Sequence, residues 1–132
     1  MRAFALAIAL SLAACSPEGG QPPAESALYA GAGRDRLCVK GLEAGFITYG
    51  EGDSNCSVRG RLEGQGDATV LVPAGDEDCR IPIRRDGEQA VLAAGPAGCA
   101  YYCGPGADFA GRRFTRSADA SPAVDFAGDP LC

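Results

Sequence analysis

Histidine and tryptophan are absent from this 132-residue chain, and lysine occurs once, as Lys40. Without histidine, the commonest general base near neutral pH is missing, and so is the commonest nitrogen ligand of zinc. No G-x-S-x-G or S-x-x-K pattern occurs, and no C-x-x-C pair that would suit thiol redox chemistry or one half of a zinc site. Carboxylates are plentiful, but no pair stands apart from surface charge, so a glycosidase-like dyad has nothing to rest on. The sequence therefore points to no catalytic residue, no metal ligand set and no cofactor. Twelve basic against seventeen acidic residues, with no basic run, argues against binding nucleic acid, which needs clustered Lys and Arg to neutralise phosphates. The other eleven basic residues are all Arg, which we read as compositional bias because bidentate sites would not cover every position. No stretch reaches the ~20 apolar residues that a membrane-spanning helix needs.

Glycine and proline are abundant, at 19 and 9 residues, which suits many turns better than long helices. A core of Val, Ile, Leu, Ala and a few aromatics over about 100 residues is thin, so covalent staples are expected. At the start of the chain, Met1-Arg2 precedes a small and apolar run, Ala3 to Ala14, that ends at Cys15. One charge followed by a dozen apolar residues has the shape of an export signal. The stretch Leu12-Ala13-Ala14-Cys15 resembles the lipobox of bacterial lipoproteins: Leu three residues before the cleavage point, two small residues, then Cys.

That resemblance covers residues 1–15. It implies removal of residues 1–14, a thioether diacylglycerol on Cys15, and acylation, for example with palmitate, of the new amino terminus. Several acyl chains at ~0.8 kcal/mol per buried CH₂ make a stable anchor. Ser16 rather than Asp follows the cysteine, which in the Gram-negative pattern implies the outer membrane, with the domain facing the periplasm. Residues 15–33 are rich in Ser, Pro, Gly, Ala and Glu and are expected to be a tether, with a short helix near Ala24–Tyr29. The eighteen residues 16–33, if flexible, would reach roughly 20–25 Å. Residues 34–132 are left as one disulfide-rich β domain, and the mature chain carries a charge of about −6.

Removing Cys15 from the seven cysteines leaves an even set: Cys38, Cys56, Cys79, Cys99, Cys103 and Cys132. In an exported domain this reads as three disulfides. Residues 44–66 and 67–89 repeat at an offset of 23, with Gly52-Asp53-Ser54-Asn55-Cys56 matching Gly75-Asp76-Glu77-Asp78-Cys79, and Glu63-Gly64 matching Asp86-Gly87 as turns. Strands are expected near 36–40, 45–50, 56–62, 68–73, 79–85, 89–94 and 112–116. Cys56, Val58, Gly60 and Leu62 alternate with Ser57, Arg59 and Arg61, and Cys79, Ile81 and Ile83 alternate with Arg80, Pro82 and Arg84. Such period-two patterning predicts a mainly β fold, a small antiparallel meander sheet or barrel. Pro82 lacks an N–H, so its nitrogen is expected at an open edge or a bulge. A 56–79 bond is disfavoured because one strand would separate the two cysteines, and Cys99 and Cys103 sit too close in sequence. The favoured pairing is 38–56, 79–99 and 103–132, with 79–103 and 99–132 as the swap.

Two surfaces qualify as recognition candidates. Tyr101 and Tyr102, between Cys99 and a Gly104-Pro105-Gly106 turn, suit a hot spot, although tyrosines flanked by half-cystines also commonly cap a small core. Arg59, Arg61, Arg80 and Arg84 share the polar faces of two strands and would form a positive stripe for an anionic glycan, a lipid A phosphate or an acidic partner, or else a solvated face balanced by acids. The acidic turns Asp53-Ser54-Asn55 and Asp76-Glu77-Asp78 lack the ligand spacing of a calcium loop and suit ordinary turns. The expected product is a membrane-anchored envelope lipoprotein whose β domain is a binding or structural module and not an enzyme, with an envelope protein or glycan as partner. A lysozyme-type hydrolase inhibitor is the first alternative, by architectural similarity to lipid-anchored lysozyme inhibitors. A small carboxylate-dependent hydrolase is the second.

Overall fold

The computed structural model describes residues 26–132; Cys15, the expected signal segment and the expected tether up to residue 25 lie outside the described residues. Eight strands follow in order: β1 (Ser26–Ala30), β2 (Arg36–Lys40), β3 (Glu43–Tyr49), β4 (Asn55–Gln65), β5 (Ala68–Pro73), β6 (Ile81–Asp86), β7 (Gln89–Leu92) and β8 (Arg113–Arg116). Each pairs antiparallel with the next, and β1 also pairs with β8, so the sheet closes into a barrel. Of the two architectures expected, the closed one is realised, which leaves no unpaired sheet edge. The alternation does the work expected of it. Leu37, Phe46, Val58, Leu71, Ile81, Ile83, Leu92 and Phe114 point inward and are fully or almost fully buried in a single cluster.

Two local expectations need correction. Residues 26–30, expected inside the tether with a short helix near Ala24–Tyr29, form β1. Ala27 and Tyr29 enter the core while Ser26, Leu28 and Ala30 face out, and β1 supplies the pairing with β8 that completes the barrel. A five-residue strand of this kind is selected by its neighbours on both sides, not by its own propensity. Glu63-Gly64 is not a turn. It stays in β4, opposite Val70 and Thr69, and the chain reverses at Gly66-Asp67. Gly66 holds a positive φ of 69°, which a tight hairpin requires. Asp86-Gly87 does lead into a hairpin, with Gly87-Glu88 between the paired Asp86 and Gln89. There is no open edge for Pro82. Its carbonyl accepts from the N–H of Ala93, just past the end of β7, so its missing donor falls where the ladder has run out.

The barrel has unlike ends. At one, the turns are tight: Gly41-Leu42, Gly66-Asp67 and Gly87-Glu88. The chain enters β1 at this end. At the other, the connections are longer, and residues 93–112 between β7 and β8 cross the opening. They include the short 3₁₀ helix η1 (Ala97–Tyr102) and drop Phe109 into the core, its ring 5.4 Å from that of Phe46.

Three disulfides are present, Cys38–Cys132, Cys56–Cys103 and Cys79–Cys99. The 79–99 bond is the one expected; 38–56 and 103–132 are not formed, and neither is the swap. The reason is which face each side chain takes. Cys38 lies between inward Leu37 and Val39, so it faces out, whereas Cys56 belongs to the interior cluster. Cys56 and Cys79, equivalent in the repeat, are instead both tied to the η1 segment and hold the cap across the opening. The tail after β8 returns along the outside of β1–β3. There Ala123 and Leu131 pack on Cys38 and Ile47, and Cys132 locks the end to β2. Gly45 makes room for this strap: a Cβ there would lie 2.3 Å from the Leu131 carbonyl oxygen.

Candidate functional site

The capped end gathers the loops that could contact another molecule. Cys99 and Cys103 fix η1 at two points, with Cys79 and Cys56 as their buried partners. The helix presents Tyr101 to solvent, 86% exposed, and its ring meets that of Tyr102 edge-on at 5.2 Å. Tyr102 is half-buried, and its hydroxyl donates to Asp76 Oδ2 at 2.7 Å, joining the cap to the β5–β6 loop. Burial, then the Asp76 carboxylate that accepts its hydrogen bond, pushes the Tyr102 phenol up to about 12. The same bond, aided by the Asp78 N–H, lowers the Asp76 carboxyl below its ordinary range.

Beside η1 lies a shallow groove of about 260 Å³. Its walls are Ala94 to Ala97, Cys99, Ala100 and Cys103 on one side and Ala107 to Ala110 on the other. Asp108 is its only ionisable lining residue, because both cysteines are in disulfides. This lining can take an apolar group; it offers no nucleophile and no second acid or base.

An ion pair between buried Asp35 and half-buried Arg112 underlies the same end. Asp35, 2% exposed, accepts from the Tyr49 N–H at 2.8 Å and from Arg112 Nη1 at 3.0 Å, while Arg112 Nη2 donates to the Tyr49 carbonyl at 3.1 Å. The two side chains thus clasp both backbone groups of Tyr49 and tie the β1–β2 turn, the end of β3 and the start of β8 together. The Arg34 guanidinium lies 3.9 Å above the Tyr49 ring.

Of the four arginines expected as a stripe, Arg59, Arg61 and Arg80 lie near one another and Arg84 stands apart. Arg61 bonds to Glu63 and Glu77, and Arg80 to Glu63, which makes a solvated ladder of alternating charge. Arg61 is level with Val72, but Arg84 is level with Ala68, four residues further along β5 and beside Arg113 and Asp86. Arg59 borders a shallow hollow together with Arg61, Glu43 and Ala74. Half the stripe is neutralised and the remainder divided, so no continuous positive surface results. The two acidic turns differ as well. Asp53 pairs with Arg34 at 3.1 Å, while both Asp76 oxygens are taken, by Tyr102 and by the Asp78 N–H. Among the described residues, no group of three or more Cys, Asp or Glu is placed to hold a metal ion.

The tyrosines were visible in the sequence because of their setting between half-cystines. The groove was not: its alanines, prolines and glycines look like any loop until η1 and residues 107–110 are folded side by side. No family model, no curated protein and no solved structure matches the chain.

Proposed function

We propose that the protein is a lipid-anchored envelope lipoprotein whose barrel acts as a binding module and presents its disulfide-capped end away from the membrane. The carrying observation is the topology. The described chain begins at Ser26 on the tight-turn end, opposite η1, so a tether running from an anchor at Cys15 joins the face remote from Tyr101 and the groove. The lipobox Leu12-Ala13-Ala14-Cys15 supports the anchor, and cysteine parity supports it independently. All six other cysteines are paired, which leaves Cys15 as the odd one. Three disulfides suit an oxidising compartment, and Ser16 favours the outer membrane, periplasmic side.

Cys15→Ala should abolish both membrane fractionation and labelling by a fatty-acid analogue. Undiminished labelling of the variant would sink the anchor.

The hydrolase-inhibitor reading gains one observation, the closed barrel, since lipid-anchored lysozyme inhibitors are also small disulfide-bonded barrels. This is a likeness of architecture alone. Loss of lysozyme activity on stoichiometric addition of the protein would favour it; full activity with excess protein would dismiss it.

A further inference from the structure

We propose that the capped end docks a basic protein, with one apolar side chain of the partner seated in the groove beside η1 and Tyr101 as a second anchor. This deepens the binding-module reading and rests on it.

Three independent features of this end agree. The first is shape and chemistry. A hollow of about 260 Å³, walled by alanines and Phe109, is below the usual size of a small-molecule pocket but has room for one large aliphatic or aromatic side chain. The second is rigidity. Two disulfides hold η1, and Tyr102, bonded to Asp76, supports the ring of Tyr101 from the side. An exposed tyrosine in a fixed setting contacts a partner at little cost in lost side-chain freedom, which is why such residues become hot spots.

The third feature is charge. The four connections at this end, residues 31–35, 50–54, 74–80 and 93–112, carry seven acids against three arginines. All three arginines are already paired: Arg34 with Asp53, Arg80 with Glu63 and Arg112 with Asp35. Glu51 and Asp78 stand free to face a cation, while Asp108 lies 3.5 Å from Arg112 Nε. At the opposite end, residues 40–43, 65–68, 84–89 and 116 carry four charges of each sign. Of the barrel's two ends, only the one that holds the groove carries net negative charge, and it steers a basic surface toward it while repelling nucleic acid and anionic glycans.

The experiment uses the full-length, lipidated protein in intact envelopes, with a benzophenone amino acid at Tyr101 and, in a second strain, at Phe126 on the tail. The expected result is a protein adduct at Tyr101 and none at Phe126, the captured protein being basic, with pI above about 9. Binding of that purified protein should then weaken at least tenfold with Ala97→Glu, which spoils the groove while adding negative charge. Combining Glu51→Gln and Asp78→Asn should slow association about fivefold and weaken its salt dependence. Native disulfides, checked by mass spectrometry, confirm that each variant folds. An acidic partner, a glycan adduct alone, or unchanged binding by Ala97→Glu overturns the proposal. Crosslinking at Phe126 and not at Tyr101 also overturns it but leaves the binding-module reading standing; adducts at neither position overturn both.

Discussion

Tyr102 and Asp76 shift each other in opposite directions, and this sets a pH window for the cap. Asp76 has a folded pKa below its unfolded value, so its contribution is present above about pH 4 and is lost as pH falls through the lowered value. Tyr102 has a folded pKa raised to about 12, so its contribution is full below about pH 10 and lost as pH rises from there toward 12. Thermal unfolding of the wild type should therefore show a plateau between these limits and a fall on both sides. Tyr102→Phe should lower the plateau and flatten both slopes; slopes unchanged in the variant would show that other groups set them. The Asp35–Arg112 pair behaves differently because Asp35 is buried and the pair clasps Tyr49. Arg112→Leu leaves the Asp35 carboxylate without its cation and should cost about 3 kcal/mol, read as a lower midpoint in urea. Neither pair was legible in the sequence. Asp35 and Arg112 are 77 positions apart and Tyr102 and Asp76 are 26 apart, and no local pattern reports such partners.

At the scale of elements, the cap and the tail are secured in unlike ways. Cys79 and Cys99 are both buried, whereas the Cys38–Cys132 bond lies on the outside beneath a short strap. Graded reduction followed by thiol labelling should open 38–132 first and 79–99 last; simultaneous opening would mean that the strap and cap form one cooperative unit. Loop closure over 94 residues contributes about 4–5 kcal/mol, so Cys132→Ser should lower stability by an amount of that order. Gly45→Ala would press a Cβ on the Leu131 carbonyl, a backbone atom with no side-chain freedom to yield. It should lift the strap while leaving the barrel closed, seen as faster amide exchange in residues 121–132 only. Strands β2 to β8 were readable because each alternates apolar and polar residues or sits between Gly turns. β1 was not, since Ser-Ala-Leu-Tyr-Ala fits a helix or a linker equally well until β2 and β8 lie on either side.

Across the whole molecule, closure gives the barrel two unlike ends. One receives the chain at Ser26 and is balanced in charge; the other is covered by a double-stapled segment and is acidic. If the anchor lies at Cys15, the second end faces outward, and the lipidation and crosslinking experiments test the two halves of that arrangement separately.

Local chemistry determined the β class, most strand positions, the requirement for three staples and the candidate anchor. These follow from alternation, turn residues, a thin core and cysteine parity, all of which are properties of short stretches. Only the tertiary structure decided the disulfide partners, the place of β1 and the groove at the cap. A disulfide needs two side chains on the same side of the sheet within a few ångströms, and a sheet must close before inside and outside have meaning. Cys38 shows the division: its flanking Leu37 and Val39 already marked it as the outward residue of β2, but what waited outside, the returning tail with Cys132, came from 94 residues away.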